Sequence, residues 1–272
     1  MKTIVLATDF SKSAKPASDF ALQLATLLKA RLVLLNVYHH PLRIPALQAV
    51  FTPMEEKNKV SARRKLYRLR DKMQAAAGGR LTISVTAREG STLETINAVV
   101  KEQKADLLVM GTAGANSPGA RYFGSQATEM ILHTLVPLLL VPPAAHFVPF
   151  KNIVVAIDFG KPVDALALDG VLRFATRFDA FLNILGVSDK PADPAIQEAA
   201  EAVRDLLRHR PHTVTVVGGD DLTQTILEFT QANRADLVMM LPKSHNRFLF
   251  SILESNTQQM ARQSDVPVLA IV

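Results

Sequence analysis

The amino-acid sequence contains one internal repeat that runs through most of the chain. Residues 4–10 read IVLATDF, and residues 153–159 read IVVAIDF. The similarity continues in the same order, since residues 105–110 (ADLLVM) match residues 235–240 (ADLVMM). Self-similarity over this length predicts two copies of one fold in tandem, and the 272 residues suffice for two small domains.

Each copy alternates short apolar runs with amphipathic stretches. In the first copy the run at residues 3–7 precedes a segment whose apolar residues recur at spacings of three and four, which is typical of a helix. Nearly all-apolar strands separated by helices indicate a parallel sheet covered on both faces. The predicted fold class is α/β, with two tandem doubly wound open parallel-sheet domains. A proline-containing linker at residues 142–151 separates them, and we place the domains at residues 1–145 and 146–272.

Several element ends are also marked in the sequence. Pro16 suits the first turn of the first helix. Residues 91–94 (STLE) have the spacing of a capping box, so a helix should begin there. The closing strands of the copies, residues 138–141 and 268–272, are apolar enough that bare edges would promote aggregation. We therefore expect these strands to pair with each other and to join the copies as an intramolecular pseudo-dimer.

The composition excludes several classes of protein. The chain has no cysteine, which excludes disulfides, thiolate nucleophiles, iron–sulfur clusters and cysteine-ligated zinc. An apolar content of 48% is too high for a disordered chain. The apolar run at the N-terminus is too short for a signal peptide, and residues 135–145 are interrupted by prolines and too short for a membrane span. We expect a cytoplasmic protein without membrane association.

The net charge of +6 is concentrated in one segment. Residues 55–80 contain nine basic and three acidic side chains, which accounts for the whole excess. An apolar stripe recurs at helical spacing within this segment, and it consists of Ala62, Leu66, Leu69 and Met73. The charges therefore occupy the other faces of an amphipathic helix, and no aromatic cluster accompanies them for base stacking. The pattern favours a solvated helix face over a nucleic-acid interface.

A glycine motif follows the apolar run at residues 105–110. Its spacing is Gly-x2-Gly-x9-Gly-Ser, and its members are Gly111, Gly114, Gly124 and Ser125. The loop would leave the carboxyl end of a strand and lead into a helix N-terminus, where open α/β sheets bind ligands. Glycines let the main chain approach an anion, and the helix N-terminus supplies unpaired N–H groups. The motif predicts a phosphate site; the alternative is that the glycines only shape turns and Ser125 caps the helix.

With this motif, and with Asp9 at the end of the first strand, the chain resembles a tandem universal stress protein. The resemblance covers both copies. It implies an adenine nucleotide alpha hydrolase-like fold that binds ATP, with or without magnesium, at the carboxyl ends of the strands. By this resemblance adenine and ribose would lie beside Ala7, Thr8, Asp9 and Val37, and the phosphates beside Met110, Gly111, Gly114, Gly124, Ser125 and Gln126. For Asp9 the alternative is a cap on the first helix.

The second copy departs from the motif. Its three glycines are replaced by larger residues and only the serine is retained, so that the corresponding residues are Leu241, Ser244, Glu254 and Ser255. These side chains take the space that a phosphate would need, and Glu254 would repel it. We expect no triphosphate in the second domain. Asp158 and Val187 persist, which leaves the survival of the adenosine side of that pocket open.

Three functions are consistent with these features. The first is an ATP-binding stress-response protein in which nucleotide bound by the N-terminal domain modulates domain pairing or partner binding. The second is a nucleotide-independent interaction scaffold, and the third is a slow ATP hydrolase. Phosphoryl transfer needs a positioned nucleophile and a cationic clamp, yet no base is evident and only Arg121 is cationic in the motif loop. The sequence therefore favours a binder over an enzyme.

The histidines do not predict a metal site. His39 and His40 follow the second strand near the expected pocket, but no acidic partner lies at ligand spacing. His209 and His212 lie among arginines, which would repel a cation. We expect no metal other than magnesium carried by a nucleotide. The protein partners, and whether the chain forms a homodimer, stay open.

Overall fold

The structure is a computed structural model that describes residues 1–12, 14–38, 48–112, 125–163, 165–241 and 256–271, with only the main chain at 48–55, 125 and 128. The chain divides into two units, residues 1–147 and 148–272. Each unit has its own parallel sheet covered by helices. The predicted α/β class, with two doubly wound open sheets in tandem, is confirmed.

Five parallel strands form the sheet of the first unit. In chain order the elements are β1 (Thr3–Ala7), α1 (Lys15–Leu28), β2 (Arg31–Tyr38), α2 (Gln48–Ala76), β3 (Ile83–Glu89), α3 (Thr92–Glu102), β4 (Leu107–Gly111), α4 (Ser125–His133) and β5 (Leu138–Val141). The strand order is β3-β2-β1-β4-β5. The central strands are apolar because helices cover both faces, and residues 4–6 and 107–109 are fully buried.

The path of the chain puts two helices on each face of this sheet. β1, β2 and β3 follow one another outward, whereas the chain then returns past β1 to β4 and β5. Right-handed connections therefore place α1 and α2 on one face and α3 and α4 on the other. In agreement, α2 packs against β2 and β3, and α3 packs against α4. The strand order reverses between β1 and β4.

Local signals explain where α1 and α3 begin. Pro16 lies in the first turn of α1, as predicted. α3 begins at Thr92, also as predicted, but the side chain of Ser91 makes no capping hydrogen bond. The capping box is therefore wrong, although Ser91 is the N-cap residue. Its carbonyl accepts a hydrogen bond from Thr95 N at 3.0 Å, so the main chain closes the first turn.

Residues 55–76 of the basic segment lie in α2, and the last four residues of the segment follow the helix. Ala62, Leu66 and Met73 of the predicted apolar stripe are buried, and Leu69 is half-buried. The arginines and lysines at residues 63–65 and 68 are exposed on the other faces. The predicted amphipathic helix is confirmed.

The second unit repeats this topology. Its elements are β6 (Asn152–Ala156), α5 (Ala165–Thr176), β7 (Phe181–Ser188), α6 (Pro194–Leu207), β8 (His212–Gly218), α7 (Leu222–Ala232), β9 (Leu237–Met240), α8 (Asn256–Gln263) and β10 (Val268–Ala270). All described pairs are parallel, and the order is β10-β9-β6-β7-β8. β6 takes the place of β1, with β7 on one side and β9 on the other.

One carboxylate in each unit holds the amino ends of the strands. Asp106 Oδ2 accepts a hydrogen bond from Thr3 N at 2.9 Å and another from the N–H of the preceding residue. Asp236 Oδ2 accepts from Asn152 N and from the N–H before it, both at 2.8 Å. We call each arrangement the amino-edge clamp. It satisfies main-chain N–H groups at the start of the central strand, which gives the repeated ADL sequence a structural role.

The way in which the two copies meet stays a prediction. This applies to the pseudo-dimer, in which residues 138–141 would pair with residues 268–272, and to the domain limits at residues 145 and 146. Among the helices of the described residues, none combines the length and the apolar character that crossing a membrane requires.

Candidate functional site

The candidate site lies where the strand order of the first sheet reverses. β1 is flanked by β2 on one side and β4 on the other, and parallel strands end at the same edge. This edge therefore gathers six of the ten predicted site residues, which are Ala7 at the end of β1, Thr8 and Asp9 after it, Val37 on β2, and Met110 and Gly111 on β4. We call it the carboxyl edge of the first unit.

Thr8 organises the turn that follows β1. Its N–H donates to Leu35 O at 2.9 Å, which continues the ladder with β2 beyond the end of β1. Its hydroxyl accepts from Phe10 N at 3.1 Å, and its carbonyl accepts from Asn36 Nδ2 at 2.7 Å. Phe10 adopts a left-handed φ of 63°. Because every polar group of Thr8 is bonded, the main chain at this edge has a defined shape.

Asn36 is a residue that the sequence reasoning missed. It is 8% exposed and lies in β2 on the face opposite to that of Val37. An amide inside the otherwise apolar run LVLLNV was the available signal, since a buried polar side chain needs a hydrogen-bond partner.

Asp9 holds the turn rather than the helix. Its Oδ1 accepts from Ser11 N at 2.9 Å, whereas the N-cap residue of α1 is Ala14. The alternative that Asp9 caps the first helix is therefore wrong. Asp9 is exposed at the carboxyl edge, so its carboxylate is accessible to a ligand.

The phosphate side of the site is described at its two ends. Met110 is 7% exposed, and Gly111, the last residue of β4, pairs with Val141. Residues 113–124 lie outside the described ranges. Ser125 is the first residue of α4, and Gln126 is exposed in the first turn of this helix. The first turn of α4 contains no acidic residue, so nothing there opposes the positive end of the helix dipole. Gly114, Gly124 and the side chain of Ser125 lie outside the described residues, as does Arg121.

The corresponding edge of the second unit has a different surface. Leu241 stands where the first unit has Gly111, whereas Ser244, Glu254 and Ser255 lie outside the described residues. Asp158 repeats the turn of Asp9, because its Oδ1 accepts from Gly160 N at 3.2 Å. The carboxylate also pairs with Lys161 Nζ at 3.3 Å, which reduces its charge at the edge.

The aromatic residue after this aspartate is placed differently in the two units. Phe159 is 6% exposed and lies over Gly186 of β7, where an added Cβ would lie 2.3 Å from its Cδ2. In the first unit Phe10 is half-buried, and the residue equivalent to Gly186 is Asn36. A ring therefore fills part of the carboxyl edge of the second unit.

The histidine and carboxylate side chains of the described residues are not clustered as metal ligands. In the described ranges no group of three histidine or carboxylate side chains could hold an ion. His209 is exposed beside Arg208, and His212 Nδ1 lies 2.8 Å from Arg210 O, which agrees with the surface interpretation. His39 and His40 lie outside the described residues.

Comparison with known families decides the identity of this fold. The model of the universal stress protein family matches residues 1–142 and, a second time, residues 149–271. The chain belongs to the universal stress protein family. The resemblance inferred from the glycine motif and the tandem arrangement is thereby confirmed.

Individual universal stress proteins match either about half of this chain or nearly all of it. One from Thermus aquaticus is 32% identical over 146 residues, which cover 52% of this chain and 98% of that protein. One from Mycobacterium tuberculosis is 30% identical over 145 residues, 52% of this chain and 95% of that protein. The crystal structure of a universal stress protein from Archaeoglobus fulgidus covers 99% of this chain and 97% of its own, with a TM-score of 0.76 and 19% identity. That last likeness shows the fold.

Proposed function

We propose that this universal stress protein is an ATP-binding stress-response protein whose nucleotide site lies in the first domain, residues 1–145. The observation that carries the proposal is the reversal of strand order at the carboxyl edge of the first unit. There, β1, which Asp9 follows, and β4, which ends at Gly111, are adjacent strands that end at one edge, ahead of the N-terminus of α4.

The described geometry is consistent with a site for adenine and ribose on one side and for the phosphates on the other. For adenine and ribose, a site needs apolar surface beside a few fixed polar groups. Val37 is half-buried on the neighbouring strand and supplies the apolar surface, and the hydrogen-bonded turn at Thr8 and Asp9 supplies the polar groups. Gly111 and the first turn of α4 offer main chain to an anion. Gly114, Gly124 and Ser125 complete the phosphate site in this proposal. Magnesium would be held by the phosphates, with Asp9 as the nearby carboxylate.

We propose binding rather than catalysis. Asp9 Oδ1 accepts from Ser11 N, which gives this carboxylate a structural role in the turn, and the sequence offers no evident base for phosphoryl transfer. Slow ATP hydrolysis remains the alternative, with Arg121 as the cation. A turnover assay separates the two, since hydrolysis that Asp9→Ala and Arg121→Ala abolish would make the protein an enzyme.

The second domain, residues 146–272, binds no triphosphate in this proposal. Leu241 replaces the first glycine, and Asp158 is paired with Lys161. ATP occupancy of one domain alone would then change the domain pairing or the surface offered to partner proteins. Hydrogen exchange at residues 138–141 and 268–272, with and without ATP, reports on the pairing.

The test of this function is calorimetric titration of the purified protein with ATP, ADP and cyclic AMP. We expect one ATP per chain. Gly114→Asp should abolish binding by placing a carboxylate among the phosphates, whereas Ser244→Asp, the same change in the second domain, should leave it unaffected. Absence of ATP binding by the native chain, or two equivalents bound, contradicts the proposal.

The interaction scaffold is the second candidate, and the exposed basic face of α2 favours it. Partner capture from lysate, quantified with and without ATP, distinguishes the two functions. Capture that neither ATP nor Gly114→Asp alters would support a nucleotide-independent scaffold.

A further inference from the structure

A cavity of about 320 Å³ lies between the first half of α1 and the second half of α2. Its lining is mainly apolar and includes Phe10, Ala14, Leu22, Leu69, Met73 and Ala76. Three hydroxyls also line it, and each forms a hydrogen bond within the protein. Ser18 Oγ donates to Ala14 O at 3.0 Å, Ser11 Oγ accepts from Ala14 N at 3.1 Å, and the Thr8 hydroxyl accepts from Phe10 N. The base of the cavity therefore presents apolar surface to a ligand.

Phe10 lines this cavity because its ring has no room to pack on the sheet. In the second unit the equivalent residue, Phe159, packs against β7 at Gly186, where the absence of a Cβ leaves space for the ring. In the first unit the equivalent residue is Asn36, and its Cβ occupies the space that the ring of Phe10 would need to pack on the sheet. Phe10 instead takes the left-handed φ of 63° and is half-buried, with Lys65 Nζ 5.5 Å from its ring centroid.

The rim of the cavity is positively charged. Lys12, Lys15 and Lys72 line it together with one carboxylate, Asp19, which forms an ion pair with Lys15. Lys65 adds a further cation beside Phe10. An apolar base below a cationic rim is complementary to a molecule with an apolar chain and an anionic head.

We propose that this cavity binds a medium-chain carboxylate, with the chain against Leu69 and Met73 and the head between Lys12 and Lys72. Its volume lies at the lower end of the range of small-molecule sites, about 300–1,000 Å³. The site is separate from the proposed nucleotide site, with which it shares only Thr8, and it does not depend on that proposal.

Titration with decanoate tests the proposal directly. We expect saturable binding of one decanoate per chain, much weaker binding of the uncharged 1-decanol, and a loss of affinity at high salt. Methyl-labelled methionine gives a local signal, since the Met73 resonance should shift on binding while that of Met260, buried in the second unit, should not. Absence of saturable binding, equal affinity for 1-decanol or an unchanged Met73 resonance overturns the proposal.

Charge reversal at the rim identifies the residues involved. The double variant Lys12→Glu/Lys72→Glu changes only exposed side chains and should weaken decanoate binding about tenfold or more. Lys161→Glu is the matched control, because Lys161 occupies the position of Lys12 in the second unit. Gly114→Asp should leave decanoate binding intact, which separates this site from the nucleotide site. Equal losses from the double variant and from Lys161→Glu would overturn the proposal.

Discussion

Replacing Gly186 by alanine tests whether the ring of Phe159 fills the carboxyl edge of the second unit. The new Cβ would lie 2.3 Å from Cδ2 and 2.7 Å from Cε2 of Phe159, so the ring must move. There are two alternative outcomes: the ring stays and the site is overpacked, which costs about 1–3 kcal/mol, or the ring leaves the site, and exposing this buried side chain costs about 1.5–3 kcal/mol. Alanine also lowers the conformational entropy of the unfolded chain, which stabilises the folded state by about 0.4–1 kcal/mol. We expect the free energy of unfolding of this unit to fall by about 1–2 kcal/mol.

Urea unfolding followed by hydrogen exchange in β7 measures this loss and assigns it to the second unit. Gly218→Ala in β8 is the matched control, because a Cβ there meets no atom closer than 3.7 Å. Its effect should stay within about 0.5 kcal/mol. In a Phe159→Ala background the clash is absent, so Gly186→Ala should no longer destabilise and should show only the entropic gain of about 0.4–1 kcal/mol. Equal losses with and without the ring, or stabilisation by Gly186→Ala alone, would refute the reasoning.

Two further predictions concern the first unit. Asn36→Ala leaves the buried Thr8 carbonyl without its 2.7 Å partner, so we expect a loss of about 1–3 kcal/mol in urea unfolding and weaker ATP binding; unchanged ATP affinity would separate this turn from the site. Burial, and then the Glu89 carboxylate, raises the pKa of Tyr38 above 10.0. The stability from the neutral phenol is therefore complete below pH 10.0 and declines as the pH rises through the raised pKa. Glu89→Gln should lower that pKa in an ultraviolet titration of phenolate absorbance, and an unshifted curve would contradict the assignment.

The features that the sequence predicted well are those set by short-range periodicity. Apolar runs such as residues 107–110 become central strands because only helices can cover both faces of a parallel sheet. The repeat then extends one topology to both units. The glycine motif located the carboxyl edge because a loop after β4 can reach only the ligand side of the sheet.

The features that the sequence did not predict depend on contacts between distant residues. The bond from Asn36 to Thr8 joins residues on two strands, and the seating of Phe159 depends on a glycine of β7. Ser91 shows the opposite error, since its spacing matches a capping box but its side chain forms no capping hydrogen bond. Spacing identifies which groups are able to meet, whereas the competing partners in the folded chain decide whether they do.

The amino-edge clamp lies at the end of each sheet opposite to the edge where we propose that a ligand binds. Asp106 and Asp236 act at one end of the strands, and the loops that differ between the copies leave from the other end. Substitutions such as Leu241 for Gly111 therefore leave the clamp bonds untouched. After duplication, the loops of one copy could therefore change while that copy continued to fold, and under the proposed function selection on the other copy alone would preserve ATP binding.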